Sequence, residues 1–217
     1  MRYFIGKIVY SSFRLLLNSY RARNKNRLRN SNFTILSNNC VGGIIYHDLG
    51  LQFLTPTVDL FFKDLNAFIY FAKNLAECVS CELIEQESDV EYPVGYLVHA
   101  STRIELHFMH YSSFAQAKEK WEERSKRINY GNIFIIMEAG TSTSEELLNT
   151  FDTIPYKNKV AITNGEHSSD VSFPLNIYDR KYVAGKILSK KSSVNHKRHL
   201  DDFDYVAFLN SGKIKRR

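Results

Sequence analysis

"NIFIIME", residues 132–138, is an apolar run long enough for one strand and too short for most helices. A second run, "KVAIT" at residues 159–163, has the same character. Strands that are apolar along their whole length are typical of parallel sheets with both faces covered. Helical patterns alternate with these strands, so we predict a three-layer α/β fold. Its central sheet would be largely parallel, with helices on both faces and a basic helix at the N-terminus.

The segments around these runs supply the other elements. "FTILSNN" predicts a strand over 33–36, followed by a turn and a short helix that ends near Gly50. Further strands are predicted in "CELIEQ", "VGYLVHA" and the alternating "RIELHFMH". Three more helices have candidate capping residues, which are Asp64, then Ser112 or Ser113, then Ser142 or Ser144.

Length and composition limit the class of protein. The chain has 217 residues, of which 44% are hydrophobic, which is enough for one domain with a core. There is no apolar run of the length that spans a membrane. Cys78 and Cys81 form a C-x-x-C without a second ligand pair, so no metal site is predicted. An odd number of cysteines, three, indicates a reducing compartment, the cytoplasm.

The positive charge lies at the ends of the chain. The first thirty residues hold eight basic side chains and no acid, so the rest of the chain carries −2 of the net +6. A nucleic-acid-binding domain normally has a basic face within its body, so no nucleic-acid partner is predicted. We therefore divide the chain into a basic arm (1–30), an α/β domain (31–188) and a polar, basic C-terminal region (189–217).

The basic arm has apolar residues near helical spacing with arginines and lysines among them. This pattern is typical of an amphipathic helix on an anionic membrane surface. It is equally typical of a helix that docks on the protein's own body or on a second copy. Both interpretations stay open, and the predicted location is cytoplasmic, with peripheral attachment to the inner face of the membrane as an addition.

"SNNCVGG", residues 37–43, follows a predicted strand and begins a predicted helix. Ligands of open α/β sheets bind beyond the carboxyl ends of the strands, where Cys40 lies. A helix N-terminus favours an anion, so we expect a lowered thiol pKa and a nucleophilic cysteine. The amides of Gly42 and Gly43 are candidates for holding a phosphate or an oxyanion. The alternative is an ordinary turn with a buried cysteine.

Three blocks of the sequence carry a resemblance to a known family. "FTILSNNCVGGIIYHDLGLQFLTPTVDLFF", "IELHFMHYSSFAQAKEKWEERSKRIN" and "YKNKVAIT" are similar to a bacterial family of unknown function, often labelled exopolysaccharide biosynthesis proteins. The resemblance covers roughly residues 30–165 and implies a place in capsule or surface-polysaccharide synthesis. Val41 departs from it, because the family has a large aromatic residue there. The matching positions are Asn38, Asn39, Cys40, Gly43, Tyr46, Gly50, Pro56, Thr57, His107, His110, Tyr111, Trp121, Arg124, Arg127 and Asn129.

Together these residues suggest sugar-modifying chemistry. Cys40 with His107 or His110 would form a thiolate–imidazole pair for acyl transfer, with an acyl-CoA as candidate donor. The substrate would be a sugar, a nucleotide sugar or a lipid-linked sugar. A glycosyltransferase and a non-catalytic sugar-binding or assembly protein remain alternatives, and the oligomeric state stays open. The candidate substrate-binding residues are Asn38, Asn39, Gly42, Gly43, Tyr46, Thr57, Tyr111, Arg124 and Arg127.

Overall fold

The computed structural model of the protein describes residues 17–178, 185–191 and 197–217. Within them the strands are β1 (Thr34–Ser37), β2 (Phe61–Phe62), β3 (Ile84–Gln86), β4 (Val94–His99), β5 (Thr102–His107), β6 (Ile133–Gly140), β7 (Asn158–Thr163) and β8 (Ser172–Pro174). The helices are α1, described over 17–27, α2 (Val41–Leu49), α3 (Leu65–Lys73), α4 (Leu75–Ser80), α5 (Phe114–Ser125), α6 (Glu145–Asp152) and α7 (Tyr205–Ser211).

A parallel sheet lies at the centre, with strand order β1-β6-β7-β8. The run that predicted a covered strand is β6, and all of its residues are buried. Because strand side chains alternate, Ile133 and Ile135 enter one hydrophobic cluster, while Phe134 and Ile136 enter another. This confirms the predicted α/β class and the parallel central sheet.

Helices cover both faces of this sheet. On the first face, α2 and α7 contribute Ile45 and Phe208 to the cluster that holds Phe134. On the second face, α3, α5 and α6 contribute to the other cluster, with Trp121 of α5 only 2% exposed. The layered packing therefore agrees with the prediction.

A second, antiparallel sheet adds to the predicted architecture. Its strand order is β2-β5-β4-β3, and its inner side chains Leu97, Ile104 and Leu106 join the second cluster. The sequence predicted three of these strands without indicating that they form a separate sheet. Their pairing is antiparallel throughout, for example Leu97 beside Ile104.

The helix starts use the expected capping chemistry. The Asp64 side chain accepts from the Asn66 amide at 2.9 Å, as predicted. Of the paired alternatives, Ser113 caps α5 and Ser144 caps α6. At the end of α2, Gly50 has a φ of 65°, a left-handed conformation that glycine adopts without strain.

The described part of the basic arm docks on the body of the protein. Arg21 Nε lies 2.9 Å from Asp48 Oδ1, and Asn24 Nδ2 donates to the Tyr205 hydroxyl at 2.6 Å. Arg27 Nη2 lies 2.6 Å from Asp204 Oδ2. These contacts favour docking for residues 17–27. Residues 1–16 lie outside the described ranges, and membrane attachment stays a prediction.

The C-terminal region contributes to the core, which the polar composition of residues 189–217 did not indicate. Leu200, Phe203 and Phe208 are completely buried in the first-face cluster. Their apolar side chains fall at helical and turn positions between charged residues, so the average composition hides them. In the described ranges, no helix has the length and hydrophobicity needed to cross a bilayer.

Candidate functional site

The chain topology gives a switch point at the carboxyl ends of β1 and β6, and we call this region the crevice. These two strands are neighbours. The helix that follows β1 packs on the first face, whereas the helix that follows β6 packs on the second. Ligands of open parallel sheets bind at such a switch point, where the two connections leave in opposite directions.

Asn38 and Asn39 tie the two strand ends together. Asn38 Nδ2 donates to the Glu138 carbonyl at 3.1 Å, and the Glu138 amide donates to Asn38 Oδ1 at 2.8 Å. The Asn39 side-chain amide donates to the Glu138 carboxylate. Both asparagines are buried, so they stabilise the turn after β1 and are not accessible to a ligand.

Glu138 is the buried centre of the crevice and was not predicted. Its side chain accepts from the Tyr178 hydroxyl at 2.9 Å and from the amides of Gly185 at 2.8 Å and Ile187 at 2.9 Å. Burial raises the pKa of this carboxyl, although these donors oppose the effect. In the sequence it stands at the end of an apolar run, and a single charge in such a run was the available signal.

The glycine amides do not have the role that the sequence suggested for them. The Gly42 amide donates to Ser37 Oγ at 3.0 Å, so it is already bonded inside the turn. A Cβ at Gly42 would lie 2.6 Å from that same oxygen, and one at Gly43 would lie 3.2 Å from Val58. Both glycines therefore permit close packing of α2, and neither is exposed to a phosphate.

Tyr46 and Thr57 also lie in the interior. The Tyr46 hydroxyl donates to the Phe33 carbonyl at 2.7 Å, and the ring is completely buried. Thr57 is completely buried and accepts from the Ser37 amide at 3.3 Å. Their place in the sequence blocks is explained by packing around β1.

Cys40 lies half-buried at the start of α2, as its sequence position predicts. Its Sγ is 4.0 Å from the Leu60 carbonyl and 4.0 Å from Met109 Sδ. Burial, and then the negative charge of Asp59, raise the pKa of this thiol to about 11. The expected lowering of the thiol pKa is therefore wrong, because desolvation outweighs the helix N-terminus.

The two candidate histidines make no hydrogen bond to Cys40. His107 Nε2 lies 2.7 Å from Glu105 Oε1, and its ring stacks on Phe61 with centroids 4.6 Å apart. His110 is exposed beyond the end of β5. The predicted thiolate–imidazole pair is thus not assembled in this structure.

A second group of polar side chains lies beside Cys40. Arg124 Nη1 donates to the Tyr111 hydroxyl at 2.7 Å, and that hydroxyl donates to the Val58 carbonyl at 3.1 Å. Asp59 is near enough to Tyr111 for its charge to raise the pKa of the phenol, to which burial contributes most. Arg127, just after α5, instead pairs with Glu123 of that helix.

Asp59 is the remaining polar group in this area. Its φ of 61° is left-handed, which is uncommon for a residue other than glycine. In the described part of the chain its carboxylate has no hydrogen-bond partner. We define Cys40, Asp59, Met109, Tyr111 and Arg124 as the Cys40 cluster.

A cavity of about 390 Å³ lies between the N-termini of α3 and α6. We call it the α3–α6 cavity. The first-turn amides of Glu145 and Glu146 have no partner among the described residues, as is usual at a helix start. The lining includes Lys63, Asp64, Asn66, Ser142, Ser144 and Glu146.

The raised pKa gives a direct prediction for the thiol of Cys40. At neutral pH we expect iodoacetamide to label Cys40 slowly, with the rate rising as the pH approaches about 11. Site-resolved mass spectrometry of the native protein measures this. The matched control is Cys81, a half-buried thiol outside the crevice. Fast labelling of Cys40 at pH 7, well ahead of Cys81, would contradict the prediction.

The fold defines an α/β protein whose parallel sheet has a topological switch point between β1 and β6. Residues 12–210 match the family model described as "Domain of unknown function (DUF1919)", and the chain belongs to this family. It is also similar to an uncharacterized protein of Haemophilus influenzae. The two are 34% identical over 185 residues, which cover 85% of this chain and 87% of the relative.

Proposed function

We propose that this protein is a sugar-modifying transferase that binds a phosphate-bearing donor in the α3–α6 cavity. The observation that carries the proposal is the convergence of two helix N-termini and Lys63 on one cavity. Helix N-termini favour anions through their free amides and their dipoles. A nucleotide sugar or an acyl-CoA would supply such a phosphate.

The charges around the α3–α6 cavity are compatible with this donor. The Asp64 carboxylate is turned toward its own helix, where it caps the Asn66 amide. Glu146 is exposed, so solvent screens its charge. Lys63 is the cationic side chain of the lining; it is 73% exposed, and its Nζ lies 3.9 Å from Glu105 Oε1, a long contact that a phosphate would replace.

The acceptor sugar would lie at the Cys40 cluster, with Asp59 as general base. The acceptor hydroxyl oxygen forms the bond to the transferred group, its proton passes to the Asp59 carboxylate, and the bond to the donor's phosphate or thiol breaks. The absence of a hydrogen-bond partner for Asp59 among the described residues supports this role. Cys40 would then line the site without acting as a nucleophile, because its thiol is protonated at neutral pH.

The biological setting of this proposal is bacterial surface-polysaccharide synthesis. It rests on the resemblance of residues 30–165 to proteins labelled with exopolysaccharide biosynthesis. Sugar acylation and sugar transfer are both steps that such a pathway needs, and both use phosphate-bearing donors.

A non-catalytic sugar-binding or assembly protein is the second candidate. The specific observation in its favour is that His107 bonds to Glu105 while Cys40 is left without an imidazole. In that case the crevice would bind its ligand without turnover.

Replacing Lys63 tests the donor site. We expect Lys63→Ala to weaken binding of UDP-glucose or acetyl-CoA by about tenfold or more, because a charge-assisted phosphate contact is lost. Isothermal titration calorimetry on the full chain measures this. Lys118→Ala is the matched control, because Lys118 is a partly exposed lysine on α5. Equal affinity in wild type and Lys63→Ala, or no binding of either donor, would overturn the donor site.

Asp59→Asn separates the two candidate functions. For a transferase, this variant should bind the donor normally and lose most of the transfer to a sugar acceptor. Transfer is followed by mass spectrometry of the products. Binding of donor or sugar without any product, in wild type as well as in Asp59→Asn, would favour the binding protein.

A further inference from the structure

Arg124 is the cationic side chain of the Cys40 cluster, and two aromatic residues fix the position of its guanidinium. Arg124 Nη1 donates to the Tyr111 hydroxyl at 2.7 Å, and the guanidinium carbon lies 5.0 Å from the centre of the Phe53 ring. The Phe53 ring in turn meets the buried Tyr46 ring edge-on, with centroids 5.9 Å apart. A guanidinium fixed in this way loses little conformational freedom when it binds a ligand.

Most of the hydrogen-bonding capacity of Arg124 is unused. A guanidinium has five N–H donors, and a single one of them is needed for the bond to Tyr111. Within the described ranges, Arg124 Nε and Nη2 have no acceptor, and solvent reaches both atoms. These two nitrogens lie on one edge of the guanidinium plane, where their parallel N–H groups match the two oxygens of a carboxylate.

The charge of Arg124 is not compensated by an ion pair in the described part of the chain. Glu123, its neighbour on α5, pairs with Lys120 at 2.8 Å and with Arg127. Asp59 belongs to the same cluster, but its carboxylate forms no ion pair with Arg124 among the described contacts. The Cys40 cluster therefore offers a ligand one cation and one anion that do not neutralise each other by contact.

We propose that Arg124 selects an acidic sugar as the acceptor, by binding the carboxylate of the sugar while the acceptor hydroxyl faces Asp59. This inference rests on the proposed function, because it names the substrate class of the acceptor site. A carboxylate fits the cluster better than a phosphate group does. A phosphate carries nearly two negative charges at neutral pH and would be repelled more strongly by the Asp59 carboxylate.

Two glycosides that differ in one group test this preference. Methyl glucuronide has a carboxylate at C6, where methyl glucoside has a hydroxymethyl group. We expect the full chain to bind the glucuronide about tenfold more tightly, because charge-assisted hydrogen bonds are roughly twice as strong as neutral ones. NMR titrations at neutral pH and constant ionic strength, followed at the backbone amides of Cys40 and Tyr111, measure both affinities.

Variants of Arg124 separate recognition of the carboxylate from a structural role. Arg124→Gln should bind the two glycosides with equal affinity and leave binding of the glucoside within about twofold of wild type. A structural role would instead weaken the binding of both glycosides together. Arg124→Lys keeps the charge without the planar fork, so it should retain part of the preference. Urea denaturation establishes that each variant is folded.

Arg127→Gln is the matched control for Arg124→Gln. Arg127 is also a half-buried arginine, but its guanidinium already pairs with Glu123. Arg127→Gln should therefore keep the wild-type preference for methyl glucuronide. Loss of the preference in this control to the same extent as in Arg124→Gln would reject a specific role for Arg124.

The outcomes distinguish this inference from the proposed function. If wild type binds both glycosides equally, or Arg124→Gln keeps the preference for the glucuronide, the acidic acceptor is rejected and the acceptor site stands. If neither glycoside binds at these amides, the acceptor site of the proposed function is rejected as well. Glucose 6-phosphate is the third probe, and tighter binding of it than of methyl glucuronide would assign a phosphorylated sugar to the cluster and reject the carboxylate.

Discussion

Glu138→Ala is expected to lower the free energy of unfolding by about 3 kcal/mol or more. The carboxylate is 1% exposed and accepts hydrogen bonds from Asn39, Tyr178, Gly185 and Ile187. Removing it leaves buried donors without an acceptor, and each such donor costs about 1–3 kcal/mol unless water enters. Urea denaturation followed by circular dichroism measures the loss.

Glu138→Gln is the graded control for this substitution. It keeps one acceptor oxygen but turns an NH₂ group toward donors, so its cost should lie between wild type and Glu138→Ala. A loss below about 1 kcal/mol for Glu138→Ala would show that water replaces the carboxylate. Glu138 would then contribute less to the free energy of unfolding than its hydrogen bonds suggest.

The stability of wild type and that of Glu138→Gln should depend differently on pH. Burial raises the pKa of Glu138 above its ordinary value of 4.5. Between the unfolded and the folded pKa, the unfolded state releases a proton that the folded state keeps, so stability falls as the pH rises through this window. Wild type should show this decline relative to Glu138→Gln. A difference curve that rises with pH would contradict the sign.

Local patterns predicted the elements well because their causes are local. The apolar run of β6 and the caps Asp64, Ser113 and Ser144 depend on neighbours within a few residues. The antiparallel sheet was not predicted as a unit, because no local signal states which strand pairs with which. The buried C-terminal aromatic residues were missed for a similar reason, since they are scattered in a polar segment.

The sequence predicted the position of Cys40 but not the protonation chemistry of its thiol. Cys40 lies at the strand end that the sequence indicated. Its thiol pKa is raised and not lowered as predicted, because burial and the charge of Asp59 act together. Glu138 meets Gly185 and Ile187, which are more than forty residues away in sequence. Such partners follow from the folded topology, and a single sequence without further comparison does not contain them.

Asp48→Asn is expected to cost about 2 kcal/mol or more, because it removes a buried charge that pairs with two arginines, of which Arg198 keeps its pair with Asp201 at 2.8 Å. The Asp48 side chain is 1% exposed, and its oxygens lie 2.9 Å from Arg21 Nε and 2.5 Å from Arg198 Nη2. These two contacts join α1 and the C-terminal region to α2.

The exposed pair of Glu145 with His167 supplies the matched control for Asp48→Asn. Its carboxylate side chain is 59% exposed, so Glu145→Gln should cost less than about 1 kcal/mol. Both variants are compared with wild type by urea denaturation at pH 7. If Asp48→Asn costs no more than Glu145→Gln, α1 is held by its other contacts, and the ion pairs at Asp48 do not fix it to the body. If the expected difference is found, the docked helix α1 is part of the folded unit, and any membrane-binding role of the arm must operate without releasing it.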